Sequence, residues 1–305
     1  MSRTTTAAAA FALVGALSLS ACGGGGPDPL ATSSSGSAQG GAGEVVVGSA
    51  DFSESILLAH IYAGALEADG VNATTRTNIG SREIYLKALE DGSVDVMPEY
   101  TGALAVYYDK TFSETDPEKV YSGLQKELPE GLTVLEKSAA EDKDSIAVSR
   151  KTADEKNLTT IDDLEPVAGE LTLGAPSEFQ NREQGVKGLK SQYGVEFGQF
   201  RALKGAALVN ALKNGQVHAA NLFSTDPNIA ANDFVVLEDE KNLFGSQNVV
   251  PLVTTDVEEQ VSPSLNKVSK ALTTEKLTAM LQKTDIDKED PDQVAADFLK
   301  EEGLD

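Results

Sequence analysis

The chain has 305 residues and a formal charge of −23, from 25 Lys and Arg against 48 Asp and Glu. That length allows two domains of ordinary size with a large core, and the charge excludes a nucleic-acid partner, which needs a basic face. With one cysteine, Cys22, and two histidines, His60 and His218, an intrachain disulfide framework is impossible and a His/Cys zinc site lacks ligands.

In chain order, Arg3 precedes an apolar run from Ala7 to Leu19, broken only by Gly15 and Ser18. The run is short of the roughly 20 residues that span a bilayer and suits a secretory signal. It ends Leu19-Ser20-Ala21-Cys22, which resembles the bacterial lipobox. Cleavage before Cys22 would leave that cysteine as a lipidated N-terminus; the alternative is a secretory peptide cut nearby with a spare thiol. Residues 1–21 are therefore expected as a lipoprotein signal peptide. Residues 22–43, rich in Gly and Ser, are expected as a flexible tether spanning roughly 25 Å. Arg3 is the only charge before Cys22, so the mature chain would carry 24 basic and 48 acidic residues, or −24.

Val45 to Gly48 reads as a strand and about 53–68 as a helix. Leu58, Ile61, Tyr62, Ala65 and Leu66 share one helix face. Further strands are expected at 73–79, 94–100, 132–137, 144–149, 171–175, 217–223, 234–238 and 249–254, with closing helices at about 264–272, 274–283 and 291–302. Strands alternating with helices predict an α/β chain with mostly parallel sheets. A weak repeat is visible. Ala88-Leu89-Glu90-Asp91-Gly92-Ser93-Val94 leads to Tyr100-Thr101, and Ala211-Leu212-Lys213-Asn214-Gly215-Gln216-Val217 leads to Phe223-Ser224, 123 residues later. Val45 to Gly48 likewise matches Leu171 to Gly174. Phe52, Tyr100, Phe179 and Phe223 lie at or just after strand ends, where α/β sheets bind ligands. Two such lobes would close aromatics around one ligand.

Five stretches carry a family resemblance: Gly48-Ser49-Ala50-Asp51-Phe52-Ser53-Glu54-Ser55, Gly80-Ser81-Arg82-Glu83, Pro98-Glu99-Tyr100-Thr101-Gly102, Ala140-Glu141-Asp142-Lys143-Asp144-Ser145 and Leu222-Phe223-Ser224-Thr225-Asp226. In this order and spacing the chain resembles the substrate-binding lipoproteins of ABC importers for glycine betaine, choline, carnitine and related osmoprotectants. The resemblance implies a type II periplasmic-binding-protein fold: two α/β lobes, a ligand cleft between them and two crossover segments. It places lobe one at 44–145 plus 249–305 and lobe two at 146–248. It implies a quaternary-ammonium or zwitterionic solute, a permease with a separate ATPase, and a monomer lipid-anchored on the extracytoplasmic face of a bacterium. No cofactor, metal or catalytic residue is implied.

A trimethylammonium group donates no hydrogen bond, so aromatic faces and nearby negative charge must recognise it. Tyr100 is the expected cage wall in lobe one, with Thr101 donating to a polar tail, and Phe223 is its counterpart in lobe two. Asp142 could offset the cation, and Phe52 and Phe179 are further wall candidates. Ser53, Ser81 and Arg82 stand at helix starts that should face the cleft, where Arg82 or Ser81 could bind a carboxylate. Each has a plainer reading: the phenylalanines as core, Tyr100 as a strand cap, Arg82 paired with Glu83 or Asp109, Asp142 in a solvated acidic run. Asp226 reads as the N-cap of a helix starting at Pro227, and both histidines read as structural. Nucleophile-elbow, zinc-protease and phosphate-loop motifs are absent from the sequence, so a secreted hydrolase is a remote alternative. A binding protein of the same fold for another zwitterion or amino-acid-like solute is a nearer one.

Overall fold

A computed structural model describes residues 43–305; the signal peptide, Cys22 and all of the tether but Gly43 lie outside the described residues. The chain opens with β1 (Val45–Gly48), α1 (Ser53–Ala68), β2 (Ala73–Arg76), α2 (Arg82–Glu90), β3 (Val96–Tyr100), α3 (Thr101–Tyr108), α4 (Pro117–Glu127) and β4 (Leu132–Val134). It continues with β5 (Asp144–Ser149), α5 (Arg150–Lys156), β6 (Thr172–Ala175), α6 (Val186–Tyr193), β7 (Gln199–Ala202), α7 (Gly205–Lys213), β8 (Ala219–Phe223), α8 (Asn228–Ala231) and β9 (Phe234–Val236). Last come β10 (Val249–Thr254), α9 (Glu258–Ala271), α10 (Thr274–Leu281), a π-helical turn (Gln282–Ile286) and α11 (Pro291–Glu302). No helix among the described residues is long and apolar enough to cross a membrane.

Two five-stranded sheets organise the chain, in the orders β2-β1-β3-β10-β4 and β7-β6-β8-β5-β9. The chain leaves the first sheet after β4 and returns to it at β10. Each sheet receives one strand from beyond the other's territory, and that strand runs antiparallel: β10 against β3 and β4, β5 against β8 and β9. The expected mostly parallel sheets are therefore mixed, because the strand that crosses between halves enters from the opposite end. The repeat is structural. Helix α7 and strand β8 occupy the places of α2 and β3 with every boundary 123 residues later.

Each sheet is covered on both faces. On one side of the first sheet, α1 packs with α9, α10 and α11 around Leu57, Ile61, Leu66 and Leu265; on the other, α2, α3 and α4 pack over Met97 and Leu252. The second sheet lies between a cluster built on Ile146, Leu173 and Leu189 and another built on Leu208, Leu212 and Ala220. Capping follows local chemistry. Asp116 and Asp290 accept backbone N–H groups at the starts of α4 and α11, each with proline at the first helical position.

Two departures from sequence expectation have clear causes. Helix α9 starts at Glu258, not at 264, and carries Pro263 inside it. Val261, Leu265 and Val268 lie on one buried face, and burying Val261 offsets the hydrogen bond that proline removes. Strand β7, Gln-Phe-Arg-Ala, was not expected at all. It is an edge strand paired only with β6, exposed but for Phe200, so it lacks the apolar signature that marks a buried strand.

Candidate functional site

The ends of β3 and β8 and the start of α1 converge. Phe52 holds an extended backbone just before α1, which turns its ring between the other two. Its centroid lies 6.3 Å from that of Tyr100 and 5.1 Å from that of Phe223. Three of the four expected aromatics thus form one cluster joining the two halves.

Behind these rings lies a buried polar network. The Tyr100 hydroxyl donates to Glu54 Oε1 at 2.6 Å, and the Thr225 hydroxyl donates to Glu54 Oε2 at 2.6 Å. The Thr225 backbone N–H donates to Asp142 Oδ1 at 3.1 Å, and the Ser224 hydroxyl donates to the same oxygen at 3.2 Å. Glu54, Thr225 and Asp142 are all buried. Burial pushes the Glu54 carboxyl above the usual carboxylate range, against the hydrogen bonds from Thr225 and Tyr100 that pull it down. Burial, with the neighbouring Glu54 charge, pushes Asp142 well above its ordinary value. Burial of Tyr100 next to Glu54 likewise keeps its phenol protonated.

The other expected site residues sit elsewhere or are already engaged. Phe179 is corrected to core. It lies in a 3-10 turn after Pro176, buried against Phe244 at 6.5 Å between centroids, because β6 leads into that turn and not directly into a long helix. Thr101 is buried and accepts the Asn248 N–H at 3.1 Å, tying α3 to the returning chain, so its hydroxyl is already engaged. Arg82 does not pair with Glu83 or Asp109. It is buried in the first half, with Nε and Nη2 each 2.8 Å from the Glu99 carboxylate, which also accepts the Tyr85 hydroxyl at 2.5 Å. Ser53 donates to Asp285 Oδ2 at 2.7 Å. Ser81 is half-buried before α2, with no capping bond to that helix. Asp226 accepts the Asn228 N–H at 2.8 Å, but α8 starts at Asn228 with Pro227 at its N-cap, so Asp226 stands one residue before the capping position. His60 stands 3.2 Å from Asp292, and His218 accepts the Thr172 N–H at 3.0 Å.

Two ion pairs join the halves at the rim. Arg182 reaches Glu83 with two contacts of 3.2 Å, and Lys204 pairs with Asp51. Hydrogen bonds from Arg182 and Ser81 outweigh partial burial and bring Glu83 down to about 2. Glu54, Thr225 and Arg182 were not singled out by sequence reasoning. Glu54 could have been, since it lies two residues after Phe52 in the first turn of a helix. Thr225 directly follows the Phe223-Ser224 pair of the repeat. Arg182 carries no local signal, because its partner is 99 residues away.

The walls offer aromatic faces, buried carboxyls and a few hydroxyls. Among the described residues no three side chains of metal-binding type come together. The arrangement suits reversible capture of a small positively charged group.

A family model described as the substrate binding domain of ABC-type glycine betaine transport systems matches residues 43–301. The carnitine transport binding protein OpuCC of Listeria monocytogenes is 27% identical over 262 residues, spanning 83% of this chain and 85% of that protein. A glycine-betaine-binding protein of Pseudomonas aeruginosa is 27% identical over 273 residues, spanning 85% and 88%. The crystal structure of a glycine betaine/carnitine/choline ABC transporter superposes with a TM-score of 0.67 at 26% identity, over 85% of this chain and 99% of the other. The fold is the type II periplasmic-binding-protein fold. The chain belongs to the family of substrate-binding domains of ABC-type glycine betaine transport systems, and it is an extracytoplasmic solute-binding component of such a transporter.

Proposed function

We propose that this protein captures a small quaternary-ammonium osmoprotectant, such as glycine betaine, choline or carnitine, and hands it to an ABC import permease driven by a separate ATPase. The observation that carries this reading is the cluster of Phe52, Tyr100 and Phe223, drawn from both halves of the chain and backed by the buried Glu54. Each aromatic face contributes roughly 0.5–2 kcal/mol to holding a cation, more where water is excluded. Three faces preorganised by their neighbours support micromolar affinity. In this structure Phe52 and Phe223 pack on each other, so a trimethylammonium group enters between them only when the halves part. Binding then shifts the balance between open and closed forms. The lobes divide at 145 and 248 in this reading. The protein acts as a monomer and catalyses no reaction, and the Leu19-Ser20-Ala21-Cys22 sequence supports a lipid anchor at Cys22 on the outer face of the membrane.

A thermal-shift screen across betaines, choline, carnitine, amino acids and sugars tests the solute class. Stabilisation by quaternary amines is expected, and a shift with sugars or amino acids alone would sink the assignment. Titration calorimetry on Tyr100→Ala should show the dissociation constant rising about tenfold or more, the effect of losing one cation–π wall. Unchanged affinity would remove Tyr100 from the site.

A further inference from the structure

The charge inside this site is one-sided. Glu54 and Asp142 are both buried and are bridged by one residue, Thr225, whose hydroxyl serves Glu54 and whose N–H serves Asp142. Asp142 Oδ2 is shut from solvent and meets no N–H or hydroxyl donor, while the Asp142 and Glu54 carboxyls lie within hydrogen-bonding reach of each other. A buried, unpaired carboxylate oxygen carries its full desolvation penalty, so this atom needs either a proton or a cation.

The surroundings offer neither a lysine nor an arginine to fill that need. The groups acting on the pair are Tyr62 on α1, Tyr100 on β3, Asp144 on β5, Ser224 and Thr225 after β8, and Asp285 in the π-helical turn. All are acids, phenols or hydroxyls. The two arginines nearest the cleft are committed, Arg82 to Glu99 and Arg182 to Glu83, each through two nitrogens. A zwitterionic solute would bring its own carboxylate into a wall that is already acidic, where like charges repel.

Resting on the quaternary-ammonium reading above, we propose that the site prefers a net cation, a quaternary ammonium without a carboxylate, and that this cation replaces a proton held by the Glu54–Asp142 pair. The exchange balances: protonated protein and free cation give the complex and one proton released to solvent, and the only bond broken is a carboxyl O–H. Burial raises the proton affinity of both carboxyls in the absence of the cation, as for other close carboxyl pairs. The bound cation reverses that preference, so solute and proton compete.

The test is titration calorimetry of the purified full chain with choline and with glycine betaine. Each titration is repeated from about pH 5 to pH 8, in buffers of different ionisation enthalpy. Choline is expected to bind about tenfold or more tightly than glycine betaine. Its affinity should rise with pH, by up to about tenfold per pH unit, before levelling off. Its heat should vary with the buffer as a proton is released, and Asp142→Asn should diminish that release. Glycine betaine binding as tightly as choline, or choline binding with no dependence on pH or buffer, would overturn the proposal while leaving the quaternary-ammonium reading intact. If neither solute binds, this proposal fails, and the thermal-shift screen across betaines and carnitine decides the broader reading separately.

Discussion

The ends of β3 and β8 are equivalent places built from different chemistry. In the first half, Arg82, Tyr85 and Glu99 form a buried hydrogen-bonded ion pair, and Glu99 also accepts the Tyr100 backbone N–H at 2.9 Å. The positions 123 residues later are Gly205, Leu208 and Leu222, and both leucines are buried. One half holds the aromatic at its strand end with a polar network and the other with apolar packing. Buried ion pairs add little net stability over well-packed apolar side chains, so the network is better understood as fixing where Tyr100 points. Phe223 has no hydroxyl to aim and no backbone tie of this kind, and packing against Phe52 suffices for it.

The largest test of that contrast is Glu99→Leu, which gives the first half the residue found in the second. It strands the buried Arg82 charge and is expected to cost about 3–5 kcal/mol in denaturant unfolding. Replacing Arg82 by Met as well should recover most of that loss while solute affinity stays weakened. A single mutant as stable as the parent would mean that the network is not insulated from water. A second comparison sets Phe179 against Phe223. Phe179→Ala should lose about 3–5 kcal/mol of stability as a core truncation, with the folded fraction binding solute normally. Phe223→Ala should lose less stability but weaken binding about tenfold or more. Reversal of the two patterns would return Phe179 to the site.

The smallest expected effect is at the rim. Glu83→Gln should change stability by no more than about 1 kcal/mol, and less in high salt, because the pair with Arg182 is partly exposed. The folded-state pKa of Glu83 is depressed to about 2, so its contribution is present above the ordinary carboxylate pKa of about 4.3. That contribution is lost as pH falls through about 2. Melting curves from neutral to acid pH should therefore converge for parent and mutant at the acid end.

How much of this was legible in the sequence follows the range of the contacts. Element order and the 123-residue repeat are local patterns, and they are visible in stretches such as Ala88 to Val94 and Ala211 to Val217. The meeting of Tyr100, Phe52 and Phe223 was readable because all three lie at or just after strand ends, which converge in such folds. Phe179 misled because matching position does not fix ring direction; Pro176 and the short turn after it turn the ring inward. Arg82 misled for a different reason. Its partner Glu99 lies within an apolar strand, where a charge reads as a neighbour of Tyr100 and not as a buried counter-ion. Thr225 and Arg182 meet residues 171 and 99 positions away, and no local pattern encodes such a meeting.

Two stretches of chain connect the halves, and they are sewn together. Asp142 N–H donates to the Gln247 carbonyl at 3.0 Å, Val249 N–H donates to the Ala140 carbonyl at 3.0 Å, and Ser246 Oγ donates to Glu141 at 2.8 Å. Gly102 packs so tightly here that a Cβ would stand 2.4 Å from the Ser246 carbonyl oxygen. The two connecting stretches therefore form one stiff strap between the halves, with glycine as the clearance that lets α3 lie against it. Any side chain at residue 102 would meet the Ser246 backbone and push α3 off the strap that holds the two halves in register.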